Sequence, residues 1–270
     1  MNFNVKFPNL FKPFQIGNVI FKNRLLASAS KPTFIQGPEP YPSEAIITHY
    51  ANKAKGGAAA VTVTVAGSMR RNQNSRLMYF DYKFDSCQHY ICQLVDSIHY
   101  YGSLASVFLF PQWDDTYDVS TGIAQNYPVF EPGKPEFPRE YIPEMIQQYV
   151  DQAAVMQELG FDMAYIHAAY RGLPIARFIS PVTNKRTDDY GGTLENRAKF
   201  LLEVCHAIKS KCGRDFLLDV CLSGEDPAGM GGTTLEETVE LVRMGEDVFD
   251  LVQLRSGDID TNIPTGYSKE

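Results

Sequence analysis

Short β-branched or apolar runs alternate with longer helical patterns along this chain, always strand first and helix second, and nothing else in the sequence limits the fold as strongly. Arg24 to Ala29 reads as a first strand and Ser43 to Lys55 as a helix, capped by Ser43 and stopped by Gly56-Gly57. Ala58 to Ala66 is a second strand, Ser86 to Tyr101 a helix ended by Gly102, and Leu104 to Leu109 a third strand. Glu140 to Leu159 is a helix with Pro143 near its start, and Asp162 to His167 a fourth strand. Thr193 to Lys211 and Phe216 to Leu222 give the next helix and strand. Thr234 and Glu237 form a capping box for a helix to about Met244, and Val248 to Leu254 is a sixth strand.

Parallel strands joined by crossover helices bury both sheet faces, and the dense Val, Leu and Ala content permits this. No glycine-rich loop follows the first strand, which weakens a dinucleotide-binding doubly wound sheet and favours an α/β TIM (β/α)8-type barrel over one domain, residues 1–270. Six strands are readable, so the barrel is truncated after about six strands. Open edges and part of the core would then need cover, from the rest of a longer chain, from another chain or self-association, or from an adapted fold.

With 25 Lys and Arg against 32 Asp and Glu, the net charge of −7 argues against a nucleic-acid partner. Apolar runs fall far short of a membrane span. Cys87, Cys92, Cys205, Cys212 and Cys221 include no Cys-x-x-Cys pair, so no metal or cluster motif is encoded, and reduced thiols in a cytoplasmic protein are expected. Residues 111–139 are polar and rich in Pro and Gly, the pattern of a long functional or poorly ordered loop. Trp113, Asp114, Asp115 and Asp118 lack calcium-loop spacing, and Gly224-Glu225-Asp226 reads as acidic surface.

Four segments carry a family resemblance: LFKPFQIGNVIFKNRLL, HYANKAKGGAAAVTVT, LGFDMAYIHAAYRG and, strongest, SPVTNKRTDDYGGTLENRAKF from Ser180 to Phe200. Together they resemble the old yellow enzyme family of FMN-dependent NAD(P)H oxidoreductases, from near Leu10 almost to the end. That resemblance implies a barrel in which FMN takes hydride from NAD(P)H and passes it to the activated C=C of an unsaturated carbonyl compound.

By the same resemblance His167 is half of the donor pair that holds the substrate carbonyl, and its partner position, three residues on, is Tyr170. The position of the tyrosine proton donor is Gly172, which has nothing to donate, so Tyr170 is the candidate substitute. Cofactor-facing positions fall on Ala29, Ser30 and Lys31 after strand one, Ala58 at strand two, Phe108 in strand three and Cys221 in strand five. Ala29 stands where proline is usual, Phe108 where glutamine is usual, and Cys221 where an arginine neutralises the N1/O2 edge of reduced flavin. Lys31 could offset that loss, and Pro111 sits near where a histidine is common. The phosphate would be held by loops after strands seven and eight, so weakened FMN binding is expected.

Asn184, Arg186, Asp188, Tyr190, Gly191, Gly192, Glu195, Asn196 and Arg197 suit a clamp that ties the strand-four loop to the barrel rim. An anion site from Arg171, Arg177 and Arg186 is the alternative. At the level of function the alternative to an FMN reductase is a flavin-free, inactive relative serving as a subunit or interaction module.

Overall fold

The computed structural model describes residues 6–30, 39–64, 80, 82–83, 85–110, 117–118, 123–124, 138–170, 173–226 and 231–255. In chain order the elements are β1 (Phe14–Ile16), β2 (Val19–Phe21), β3 (Leu26–Ala27), α1 (Glu44–Lys55), β4 (Ala60–Val63), α2 (Asp85–His99) and β5 (Leu104–Phe108). There follow β6 (Tyr117–Asp118), β7 (Ile123–Ala124), a 3-10 turn (Arg139–Tyr141), α3 (Ile142–Glu158), β8 (Met163–Ala168) and α4 (Pro174–Ile179). The last are α5 (Leu194–Cys212), β9 (Leu217–Ser223), α6 (Leu235–Met244) and β10 (Leu251–Arg255).

Six strands form one parallel sheet in the order β10-β9-β8-β5-β4-β3, curled but not closed, which is the architecture of a truncated (β/α)8 barrel. Because strand side chains alternate with period two, each strand feeds two different cores. Val61, Val63, Ala105, Val107, Ala164, Ile166, Leu218, Val220 and Leu222 face the helices and pack with Ile46, Ile91, Met156 and Leu201. The intervening residues face the barrel interior in layers. Leu26, Ala60, Leu104, Met163, Leu217 and Leu251 make the bottom layer, sealed by the β1–β2 hairpin through Phe21, Phe14, Ile16 and Val19. Ring stacking of Phe14 on Phe21 at 4.6 Å fixes that plug.

The helix caps follow the sequence. Ser43 Oγ accepts from the Ile46 amide, Thr193 Oγ1 from Asn196 and Thr234 Oγ1 from Glu237. The second half of the expected capping box does not form, because Glu237 turns away from Thr234 and binds the Arg197 guanidinium. Strand six begins at Leu251 and not at Val248, since the amides of Val248 and Phe249 are taken by the Gly245 carbonyl in a turn. It also runs one residue further than Leu254, to Arg255. Strand one shrinks to Leu26–Ala27, and α3 starts at Ile142 after the 3-10 turn. The hairpin, its turn at Gly17-Asn18 and the short helix α4 were not anticipated. All five cysteines are free thiols. No helix among the described residues is long and apolar enough to cross a membrane.

Candidate active site

The C-terminal ends of the strands bring together Ser28, Ala29, Phe108, His167, Tyr170, Cys221 and Arg255. Tyr165, Ala169 and Cys221 are fully buried, and Ala29, Phe108 and Tyr170 pack against them as an aromatic and apolar floor. The rings form a connected set: Phe108 lies 5.4 Å from Tyr165 and 5.6 Å from His167, and His167 lies 5.6 Å from Tyr170.

His167 is neutral at ordinary pH. Burial, helped by the charge of Arg255, pushes its pKa down to about 4. Its Nδ1 accepts a long 3.4 Å hydrogen bond from the Ala169 amide, and a nitrogen that accepts cannot carry the proton. Acceptance at Nδ1 assigns the proton to Nε2, which makes the ring a neutral N–H donor at the strand end. Tyr170 follows in the left-handed region, with φ 67°, and its amide donates to Ser223 Oγ at 3.2 Å. A tyrosine in that conformation stores about 1–2 kcal/mol of backbone strain, of the kind that collects at functional sites.

A polar chain leads from the mouth into the layer below. Arg255 Nη2 donates to Ser28 Oγ at 2.5 Å, Ser28 Oγ donates to Gln253 Oε1 at 3.0 Å, and Gln253 Nε2 donates to Asp219 Oδ2. Ser28 follows β3, while Gln253 and Arg255 belong to β10, so these bonds span the interior between the two edges of the sheet. Burial pushes the Asp219 carboxyl up to about 6. Burial also raises the Tyr165 phenol and the Cys221 thiol. For Arg255, burial pulls downward, but the neighbouring Tyr165, Tyr170 and Cys221 outweigh it and its pKa is held up. Two interior polar atoms, Ser106 Oγ and Asp219 Oδ1, are buried without a hydrogen-bond partner, and the Tyr165 hydroxyl has only the weakly bonding Cys221 thiol beside it.

The remaining positions named from the sequence are distributed as follows. Ser30 is exposed beside the floor; its hydroxyl accepts from Lys53 Nζ at 2.6 Å, and its carbonyl accepts from Thr64 Oγ1. Ala58 precedes β4 and so lies at the opposite end of the strands, where its carbonyl accepts from Ser103 Oγ. Lys31, Pro111, Trp113, Arg171 and Gly172 lie outside the described residues, as does most of the 111–139 segment. Arg255, Ser28 and Asp219 were missed. Arg255 escaped because strand six was ended at Leu254, one residue short of it.

The Ser180–Arg197 segment is a clamp. Asn184 Nδ2 donates to the carbonyls of Phe178 and Tyr190 at 2.6 and 2.7 Å. Arg186 pairs with Asp188, and Arg197 joins the Ile179 carbonyl to Glu237. With Arg186 committed to Asp188, its guanidinium is not left for an anion. Among the described residues no group of three His, Cys, Asp or Glu side chains could hold a metal ion.

The mouth's donor set suits the anionic edge of a planar conjugated ring. An aromatic floor carries a neutral N–H donor and a guanidinium that has no carboxylate within ion-pair distance among the described residues. FMN fits that chemistry at its ring.

The chain aligns with an NADH oxidase of Thermoanaerobacter brockii at 30% identity, over 96% of this chain and 40% of that protein. It aligns with an NADPH dehydrogenase of Listeria monocytogenes at 28% identity, over 93% of this chain and 74% of that protein. It thus spans well under half of the first relative and about three quarters of the second. Among solved structures, a 2-naphthoyl-CoA reductase in complex with 2-naphthoyl-CoA superposes with TM-score 0.74 at 27% identity, covering 93% of this chain and 41% of that one. The Old Yellow Enzyme of Pichia sp. AKU4542 superposes with TM-score 0.70 at 22% identity, covering 91% and 70%, a likeness of fold. The profile of the NADH:flavin oxidoreductase / NADH oxidase family matches residues 9–269, and the chain belongs to that family.

Proposed function

We propose that this chain carries the ring-binding half of an FMN-dependent NAD(P)H oxidoreductase that reduces the activated C=C of an unsaturated carbonyl compound. When bound, FMN would supply hydride exchange with the nicotinamide. The observation that carries the reading is the neutral His167 imidazole at the strand ends, beside the half-buried Arg255 and the rings of Phe108 and Tyr170. His167 donates to the substrate carbonyl oxygen, where negative charge grows as the β-carbon is reduced. Because it is neutral it polarises that oxygen without surrendering a proton to it. Tyr170 is the second donor, and with Gly172 at the usual proton-donor position it is also the candidate source of the proton. Ala29 and Phe108 border the ring as apolar surface, and Ser30 lies at the edge of the bed. The exchanges at Ala29, Phe108 and Cys221 lower affinity for the ring relative to polar contacts at those places.

A second reading is favoured by one observation: β3 and β10 each pair on one side only among the described residues. On that reading the chain is a flavin-free subunit whose open edge is covered by another chain or a second copy. Reconstitution decides between the two. Full-length protein incubated with excess FMN and desalted is expected to be yellow and to release flavin on denaturation. Colourless protein that runs as a stable oligomer would overturn the reductase reading and support the subunit.

A further inference from the structure

Cys221 stands where the resemblance expects the cation of the ring edge, and a buried thiol with a raised pKa cannot serve as one. The neighbouring strand carries a cation to the same place. In the β9–β10 register Gln253 pairs with Cys221 and Arg255 with Ser223, and residues 219, 221, 253 and 255 share the interior face. The guanidinium of Arg255 neighbours the Cys221 thiol, the Tyr165 hydroxyl and the Tyr170 hydroxyl. Ser28 tethers it from the far edge of the sheet at 2.5 Å. Among the described residues its carboxylate neighbour on the interior face is Asp219, which is occupied by Gln253. A half-buried guanidinium held on one side by hydroxyls, and unpaired by any carboxylate among the described residues, is suited to an anion supplied from outside the protein. The aromatic floor beside it selects a flat, conjugated anion over a solvated phosphate.

We propose that Arg255, projecting from β10 and held by Ser28, is the positive charge against which the electron-rich pyrimidine edge of the flavin docks. This rests on the flavin reading above. The role normally filled from one strand is filled here from the next, so the loss at Cys221 is compensated and not simply degenerative. Planarity matters as well as charge, because a guanidinium can address two adjacent acceptors of a ring edge at once.

The test is a titration of the full chain with FMN and, separately, with riboflavin, read by flavin fluorescence quenching, for wild type and Arg255→Met. Riboflavin lacks the phosphate and isolates the ring. The variant is expected to bind both ligands about tenfold more weakly, equivalent to about 1.4 kcal/mol. If reduced flavin loses a further tenfold relative to oxidised, the midpoint potential of the bound flavin falls by about 30 mV. A purely structural residue would not move that potential. Should Arg255→Met fail to fold by circular dichroism, Arg255→Gln removes the charge while keeping a donor for Ser28, and the same shifts are expected. Wild-type affinity and potential in the folded neutral variant would overturn the inference and leave the flavin reading standing. Weakening for FMN alone would also overturn it, since Arg255 would then serve the phosphate. If wild type quenches neither ligand, the flavin reading fails and this inference falls with it.

Discussion

The clamp at Ser180–Arg197 and the mouth at the strand ends lie side by side, and they treat charge in opposite ways. In the clamp each buried guanidinium has a carboxylate: Arg186 has Asp188, and Arg197 has Glu237. In the mouth Arg255 has hydroxyls and no carboxylate paired with it among the described residues, while Asp219 Oδ1 is buried without a partner. The ion pairs of the first region hold a loop, although Arg197 Nε and Glu237 Oε2 are themselves buried without a hydrogen-bond partner. What sets the second region apart is its guanidinium, which has no carboxylate paired with it among the described residues. On the function proposed above, the mouth is where a ligand would supply the missing counter-charge.

Removal of one guanidinium from each region is the strongest way to break that contrast. Arg197 has a side chain only 4% exposed, and Arg197→Met leaves the Ile179 carbonyl and the Glu237 carboxylate unpaired. The expected loss is about 3–5 kcal/mol. Arg255→Met removes a cation that has no ion-pair partner, so stability should change by less than about 1 kcal/mol. Urea unfolding of both variants without ligand checks this. Equal losses would mean that Arg255 is a structural residue like Arg197.

A second test uses acid. The unfolded chain holds a proton on His167 below about pH 6.5, and the folded chain does so only below about pH 4. Stability from this group therefore falls as pH drops through that window, by about 1.4 kcal/mol per unit. Asp219 acts with the opposite sign. Its folded pKa of about 6 exceeds the ordinary 3.8, so the folded chain holds the extra proton and gains stability as pH drops from 6. Between pH 4 and 6 the two contributions cancel in wild type. Asp219→Asn should unmask an acid-induced loss of about 3 kcal/mol, and His167→Gln a gain of similar size. Unfolding free energies measured from pH 4 to 7 should show opposite slopes for the two variants. Parallel slopes would mean that neither group is desolvated as described.

The outer layer of the barrel was legible because Val61, Val63, Val107 and Val220 sit in β-branched runs that only strands accommodate well. The interior was not, because period-two alternation there places Ser28, Asp219 and Gln253 among apolar neighbours, and a polar residue inside a strand gives no sign of what it meets across a barrel. The β1–β2 hairpin did carry a signal, a Gly-Asn pair between the short runs Phe14-Gln15-Ile16 and Val19-Ile20-Phe21, with Gly17 at φ 54°. His167 and Tyr170 were named through resemblance, and the structure brings them together with Phe108 and Cys221, whereas Ala58 lies at the other end of its strand. Arg255 was hidden by a boundary error of one residue, the least reliable part of any strand assignment.

The two regions differ again in how they use left-handed backbone, and this gives the smallest effects. The clamp places Gly192 at φ 84°, and Gly191 where an added Cβ would meet the Arg186 carbonyl oxygen at 2.3 Å. The mouth places Tyr170 at φ 67° and accepts the strain. Gly191→Ala should therefore cost about 1–3 kcal/mol, because the clash is with backbone and cannot be relieved by a rotamer change. Tyr170→Gly should alter stability by less than about 1 kcal/mol, since relief of the left-handed strain offsets the aromatic packing that is lost. Thermal unfolding of the two variants ranks them. If Tyr170→Gly proves the more damaging, the tyrosine is held there for packing, and its candidacy as a donor to substrate loses its structural motive.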